Sequence, residues 1–192
     1  FGDKIMAEYI GNCNDEINWS ELITQLKSVP PRERGNGQED DIHTDNPKVQ
    51  KLMDLWTKVG ISKSPDIQWV DFIPGEHFDM EWLMKFAEWV DAEPAGAWVS
   101  AVSPGCIVPF HPDYGVPEEE AEWLKKGDLK SYGCYICEPA FGQVSIVEGH
   151  AIYNAKQGDV YKWDDWQDWH GGMNMGLETK YLFNFLGWDN GK

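Results

Sequence analysis

The sequence is poor in basic residues: it has 16 Lys and Arg against 33 Asp and Glu in 192 residues, and its formal net charge is −17 at pH 7. A surface of this sign repels phosphate backbones, so we expect no nucleic acid as a partner. Long hydrophobic runs are also absent from the sequence, and no apolar stretch approaches the roughly 20 residues of a membrane-spanning helix. We therefore expect no membrane as a partner either.

Cysteine is scarce, and the four in the chain are Cys13, Cys106, Cys134 and Cys137. The N-terminal segment FGDKIMAEYIG lacks a basic start followed by an apolar block, so it does not read as a secretory signal. This context favours reduced thiols and a cytoplasmic protein. The segment CYIC favours ordinary core and surface cysteines, because strand positions three apart point to opposite faces.

Apolar residues are plentiful: 42% of the chain is hydrophobic, and 11 residues are Trp. A chain of 192 residues suits one domain with a proper core. The sequence has no internal repeat and no clear linker. We therefore predict a single domain over residues 1–192, with a helical part at about 1–94 and a β-rich core at about 95–188.

The N-terminal half carries the start and stop signals of three helices. NWSELITQLKSV opens with Asn18, has Glu21 three residues later, and is followed by two prolines. NPKVQKLMDLWTKVG has Asn46 as a cap, proline at the first position and Gly60 at the end. FDMEWLMKFAEWVDA places its aromatic residues on one side and predicts a third helix.

After Pro94 the pattern changes to short apolar or alternating runs bounded by Gly, Pro or Asn. A short helix is predicted at Glu118–Lys126. Eight strands with turn signals are typical of a jelly roll or cupin-like barrel, a double-stranded β-helix that the N-terminal helices would buttress. The predicted strands lie near Trp98–Ser103, Cys106–Phe110, Tyr132–Cys137, Gln143–Val147, Ala151–Asn154, Asp159–Trp163, Trp169–Met175 and Lys180–Leu186.

The segment SPGCIVPFHPDYG ends an apolar strand with a histidine and a carboxylate. His111 and Asp113 share one strand face, about 6 to 7 Å apart at the backbone, which is close enough to bind one ion. His170, at the start of a later strand and followed by two glycines, is the candidate third ligand. Two His and one carboxylate form the facial triad of non-haem Fe(II) oxygenases. The alternative is a turn histidine with an aspartate cap.

Lys180 begins the strand after the one that carries His170. A buried ammonium that faces the barrel interior requires an anion, and the distal carboxylate of a dicarboxylic cosubstrate would supply one. A solvated lysine at a turn is the alternative. Trp163, Trp169 and Asn174 are candidates for the pocket wall, although core aromatics and a turn asparagine are the favoured interpretation.

Two segments resemble a known family, the aspartyl/asparaginyl β-hydroxylase-like 2-oxoglutarate oxygenases. VSAVSPGCIVPFHPD is similar to the family's iron-binding segment, in which the iron-binding His lies six residues after a Pro-Gly glycine, as His111 follows Gly105 here. QGDVYKWDDWQDWHGGMN, continued by TKYLFNFLGW, is similar to the later segment, in which a basic residue lies ten positions after the second iron-binding His. The resemblance covers about residues 97–187.

The resemblance implies a hydroxylase that uses Fe(II) and 2-oxoglutarate and releases succinate and CO2. His111 and His170 would bind iron, Lys180 would bind the distal carboxylate, and the Ser100 hydroxyl would assist it. The β-hydroxylases have Gly where this chain has Asp113, and Asp113 completes the triad of the wider superfamily. They have Arg where this chain has Lys180. The substrate would be an amino-acid side chain, in a peptide or free, or a small metabolite.

Two other functions are compatible with the same residues. One is a cupin-like metalloprotein that does not use 2-oxoglutarate, for which Lys180 would be dispensable. The other is a jelly-roll binding module without catalysis, for which His111 would be dispensable. The oligomeric state is not indicated by the sequence.

Overall fold

The structure, a computed structural model, describes residues 7–29, 69–112, 127–163 and 168–189, with the side chains at positions 109 and 110 left out. Ten strands and two helices lie in these ranges. In chain order they are β1 (Glu8–Asn12), α1 (Trp19–Ser28), β2 (Trp69–Phe72), α2 (Glu81–Val90), β3 (Ala92–Val102), β4 (Cys106–His111), β5 (Leu129–Tyr135), β6 (Gln143–Val147), β7 (His150–Ile152), β8 (Asp159–Trp163), β9 (His170–Asn174) and β10 (Lys180–Asp189).

The strands form two antiparallel sheets. One has six strands in the order β1-β8-β5-β10-β3-β2, and the other has four in the order β4-β9-β6-β7. From β3 to β10 the chain passes back and forth between the two sheets, which is the path of a jelly roll, or double-stranded β-helix. The predicted fold class, mostly β with helices on one side, is therefore confirmed.

In its described residues, the N-terminal part contains two strands that the sequence did not predict. Strands β1 and β2 lie at the two edges of the six-stranded sheet, against β8 and β3. Neither β1 (EYIGN) nor β2 (WVDF) has a strict apolar/polar alternation, so pairing with β8 and β3 defines them. Strand β3 also begins earlier than predicted. Pro94 is tolerated because a register shift between Leu186 and Gly187 lies opposite it.

The two described helices cover the outer face of the six-stranded sheet. Phe86 of α2 packs against Phe183 and Phe185 of β10, with ring centres 5.0 and 5.4 Å apart. Trp19 of α1 contacts the same Phe183 ring at 5.6 Å. Because side chains alternate along a strand, the intervening β10 residues, such as Leu182, point to the inner face. The helices thus leave the space between the sheets open for a site.

Several predictions fall outside the described residues. These are the helix that opens at Asn46, the helix at Glu118–Lys126, and the side chain of Asp113. In the part of the chain that is described, neither helix is long and apolar enough to cross a bilayer. All four cysteines are free thiols.

Candidate active site

A cavity of about 60 Å³ lies between the inner faces of the two sheets. It has room for several water-sized groups. Four of the five residues predicted to form a site line this one cavity: Ser100, His111, His170 and Lys180.

The two histidines face each other across adjacent strands. His111 is the last residue of β4, His170 is the first residue of β9, and the two are direct partners in the antiparallel register. Their ring centres lie 4.7 Å apart at an interplanar angle of 53°. Two imidazoles bound to one ion at a right angle, with metal–nitrogen distances of about 2.1 Å, have ring centres about 4.5 Å apart. The pair therefore fits a shared metal ion.

The tautomer of His170 is set by its neighbour in the chain. Its Nδ1 lies 3.0 Å from the carbonyl oxygen of Asp168. A carbonyl oxygen can only accept a hydrogen bond, so Nδ1 carries a proton, and in the neutral ring Nε2 carries the lone pair. In many metal sites, a hydrogen bond of this kind from the second ring nitrogen holds the ligand imidazole in its orientation.

The third predicted ligand is not tested by the structure. Asp113 lies just beyond the described residues, which reach Pro112 on this segment. Among the residues that are described, no group of three or more His, Cys, Asp or Glu is placed to hold a metal ion. The assignment of Asp113 as the iron carboxylate therefore stays a prediction.

Lys180 lies at the other end of the cavity from the histidines. It is paired with Val102 at the end of β3, next to the turn into β4, whereas His111 ends β4 at the far side. Its side chain is 3% exposed, and Nζ donates to the carbonyl oxygen of Val144 at 2.8 Å and to Oγ of Ser145 at 2.7 Å.

The ammonium of Lys180 is buried, and no described carboxylate compensates its charge. It makes no ion pair with any described residue, and burial lowers the pKa of Lys180 to about 7. A buried cation in this state gains most from an anion brought by a ligand. The alternative of a solvated turn lysine does not hold, because the side chain points into the barrel.

Gly172 explains how the Lys180 side chain fits. A Cβ added there would lie 2.9 Å from the Val144 carbonyl oxygen and 3.0 Å from Nζ of Lys180. Gly172 was predicted to allow the close approach of a cofactor. In the structure it makes room for the Lys180 ammonium, which would bind the cosubstrate.

Tyr135 is a pocket residue that sequence reasoning missed. It faces the cavity beside Lys180, whose Nζ lies 5.6 Å from the centre of the Tyr135 ring. Burial raises the pKa of Tyr135 to about 12, although the nearby Ser145 partly opposes the rise. The buried hydroxyl donates no hydrogen bond to a described residue, so its proton is available to an acceptor on a ligand. No local sequence motif marks Tyr135 as a cavity residue. Its position in the cavity follows from its register with Leu182.

Of the three candidate wall residues, Trp163 lines the cavity, with its ring centre 5.3 Å from that of His170. Trp169 does not line it. Asn174 is fully buried, and its Nδ2 donates to the carbonyl oxygens of Val102 and Glu178, both at 2.7 Å. The favoured interpretation of Asn174 as a structural turn residue is confirmed.

Ser100 belongs to a hydrogen-bonded row on the inner face of the six-stranded sheet. Its Oγ donates to Oδ1 of Asp71 at 2.6 Å and accepts from Nδ2 of Asn184 at 3.1 Å. Asp71 lies on β2, a strand that the sequence did not predict. The hydroxyl proton of Ser100 is therefore already engaged.

No family model and no curated protein matches the chain, whereas several solved structures resemble it in fold. A viral collagen prolyl hydroxylase from Paramecium bursaria Chlorella virus-1, solved as its 2OG complex, has 17% identity and a TM-score of 0.44, over 73% of this chain and 90% of that one. A prolyl hydroxylase from Trichoplax adhaerens, solved with a peptide fragment of hypoxia inducible factor, has 11% identity and a TM-score of 0.43, over 92% and 96%.

A Pseudomonas putida prolyl-4-hydroxylase has 13% identity and a TM-score of 0.38, over 90% of this chain and 100% of that one. Several of these structural neighbours are prolyl hydroxylases or 2OG-Fe(II) oxygenases. Likeness of this degree does not assign a reaction, which has to be inferred from the residues of this chain.

Proposed function

We propose that the chain is a non-haem Fe(II), 2-oxoglutarate-dependent oxygenase that hydroxylates its substrate and releases succinate and CO2. The observation that supports this most directly is one cavity with a histidine pair at one end and, at the other, a buried ammonium that pairs with no described carboxylate. Imidazoles suit a ferrous ion, and the ammonium suits the far carboxylate of a dicarboxylic acid.

In this proposal His111, His170 and Asp113 hold the iron. The ion, when bound, supplies the oxygen activation that couples decarboxylation of 2-oxoglutarate to hydroxylation of a C–H bond. The Asp168 carbonyl keeps the proton of His170 on Nδ1, so that Nε2 is the ligand atom. The Trp163 ring packs beside His170 and helps to exclude water from that end of the cavity.

Lys180 would bind the distal carboxylate of 2-oxoglutarate, and Tyr135 would donate a second hydrogen bond to it. The hydroxyl of Tyr135 is a better-placed donor than that of Ser100. The Tyr135 hydroxyl donates to no described residue, whereas the Ser100 hydroxyl would first have to break its hydrogen bond to Asp71. We retain Ser100 as a contact of the cavity and assign the donor role to Tyr135.

One observation favours the alternative of a cupin-like metalloprotein without 2-oxoglutarate. The Lys180 ammonium already donates two hydrogen bonds, to Val144 and Ser145, so its polar demand is partly met within the fold. The two functions differ in the effect of Lys180→Ala. This change would abolish 2-oxoglutarate binding in the oxygenase and would leave the activity of the alternative enzyme intact.

The decisive experiment is an anaerobic titration of the protein with Fe(II) and 2-oxoglutarate, followed by the visible charge-transfer band of the ternary complex. We expect the band in the wild-type protein, its loss in His170→Ala, and its retention in His150→Ala, a matched change of an exposed histidine. Folded wild-type protein that binds iron and shows no band at saturating 2-oxoglutarate would exclude this function.

A further inference from the structure

Three polar side chains on adjacent strands line up on the inner face of the six-stranded sheet: Asp71 of β2, Ser100 of β3 and Asn184 of β10. We call this row the acceptor wall. Ser100 Oγ donates to Asp71 at 2.6 Å, and Asn184 Nδ2 donates to Ser100 at 3.1 Å and to the Leu182 carbonyl oxygen at 3.3 Å. Ser100 and Asn184 both line the cavity.

The hydrogen bonds of the acceptor wall settle where its protons are. A carboxylate only accepts, so the single proton of Ser100 points at Asp71. The Ser100 oxygen must then accept from Asn184, which fixes the orientation of the Asn184 amide. The Asn184 Nδ2 donates both of its hydrogen bonds to protein acceptors, Ser100 Oγ and the Leu182 carbonyl oxygen. The Asn184 Oδ1 accepts no hydrogen bond from a described residue. Ser100 and Asn184, the two wall residues that line the cavity, therefore have no donor left, and the Asn184 Oδ1 is the acceptor that they present to it.

An aromatic ring lies beside this wall. Trp98 is the register partner of Asn184, lines the same cavity and is half-buried. Aromatic faces next to acceptor oxygens suit cations, which are attracted by the ring quadrupole. The net charge of −17 also raises the local concentration of cations around the protein.

The polarity of the cavity reverses along its length. Lys180 and Tyr135 form a donor end, and Leu182, the register partner of both Tyr135 and Ser100, separates it from the acceptor wall. A carboxylate is attracted to the first and disfavoured at the second. We propose that the acceptor wall binds a cationic nitrogen group of the substrate that carries at least one N–H, an ammonium or a guanidinium. The role of that group as part of the hydroxylated substrate rests on the proposed function, whereas its binding does not.

The test uses the metal-free full chain and three size-matched probes: n-butylammonium, the neutral 1-butanol and the anion butyrate. Binding is measured by ligand-observed NMR and calorimetry with glutarate present, so that the donor end is occupied. We expect n-butylammonium to bind at least tenfold more tightly than 1-butanol. Asn184→Leu should remove this preference, and Asn184→Asp should increase it about tenfold. Asn14→Leu, a change at an exposed turn, should leave it unaltered.

Equal affinities for n-butylammonium and 1-butanol would overturn the proposal. So would a cation preference that persists in folded Asn184→Leu, checked by near-UV circular dichroism, because the preference would then come from the overall charge. Glutarate binding is measured separately in Lys180→Ala. If glutarate binds independently of Lys180, the proposed function fails, while the acceptor wall is still judged by the n-butylammonium result.

Discussion

Gly172 lies against the ammonium of Lys180, so closely that a Cβ at position 172 would be 3.0 Å from Nζ. The two residues belong to different sheets, β9 in one and β10 in the other. This contact couples the strand that carries His170, the proposed iron ligand, to the residue that would bind the cosubstrate.

We expect Gly172→Ala to weaken 2-oxoglutarate binding by tenfold or more, because the added methyl group displaces the ammonium or the Val144 strand. Overpacking of this kind also costs about 1–3 kcal/mol of stability. Calorimetry with 2-oxoglutarate and thermal unfolding measure the two effects. Gly96→Ala is the matched control, because a Cβ there meets nothing within 4 Å. Unchanged 2-oxoglutarate affinity in Gly172→Ala would contradict the assigned position of Lys180.

The affinity for 2-oxoglutarate should depend on pH through Lys180. Burial lowers the pKa of Lys180 to about 7, and a carboxylate binds its protonated form. Above pH 7 the free protein loses that form, so we expect the dissociation constant to rise about tenfold per pH unit. Calorimetry between pH 6 and 9 measures this. In Lys180→Arg the guanidinium stays charged, and a dissociation constant that still rose in the same way would point to another group.

Stability should also change with pH, in the opposite sense. The pKa of Lys180 is about 7 in the folded protein and 10.5 in its ordinary state, so the unfolded chain binds more protons between these values. The free energy of unfolding should therefore rise with pH across this window, by about 1.4 kcal/mol per pH unit from this residue, and the penalty is largest below pH 7. Urea denaturation of the wild type and of Lys180→Met separates this contribution from others. Parallel pH profiles of the two proteins would show that burial does not lower the pKa of Lys180.

Asp113 is tested by its effect on the metal. As the carboxylate of the triad, it should raise Fe(II) affinity, and we expect Asp113→Ala to weaken anaerobic Fe(II) binding by tenfold or more. Asp15→Ala, at an exposed turn, provides the control. An unchanged iron affinity in Asp113→Ala would exclude Asp113 as an iron ligand and would assign it to the turn.

The helical cover of the barrel is tested by Phe86→Ala. Phe86 is fully buried and contacts Trp19, Phe183 and Phe185, so its truncation should cost about 3–5 kcal/mol of stability. Met84→Ala on the same helix changes a side chain that is 55% exposed and should alter stability by less than about 0.5 kcal/mol. If they remain folded, Phe86→Ala and Met84→Ala should both bind iron as the wild type does, because the two described helices pack on the outer face of the sheet.

Periodicity and turn residues were sufficient to predict most of the regular structure. The strands at Gln143–Val147 and Asp159–Trp163 have the predicted bounds, and the helix that opens after Asn18 has its expected stripe of buried residues. These elements are defined by local patterns of burial and by residues that end a strand or helix. Strands β1 and β2 lack such patterns, because their pairing with β8 and β3 defines them, and they were missed.

The sequence by itself determined which residues are the candidates for the site: a histidine after an apolar strand, a second histidine before two glycines, and a lysine ten residues later. It also determined the jelly-roll class, since eight short punctuated strands leave few other arrangements. Only the tertiary structure decided that His111 pairs with His170, that Lys180 is buried beside Tyr135, and that Asp71, Ser100 and Asn184 share a wall. The physical reason is that these contacts cross between strands far apart in the chain, where register decides which side chains meet.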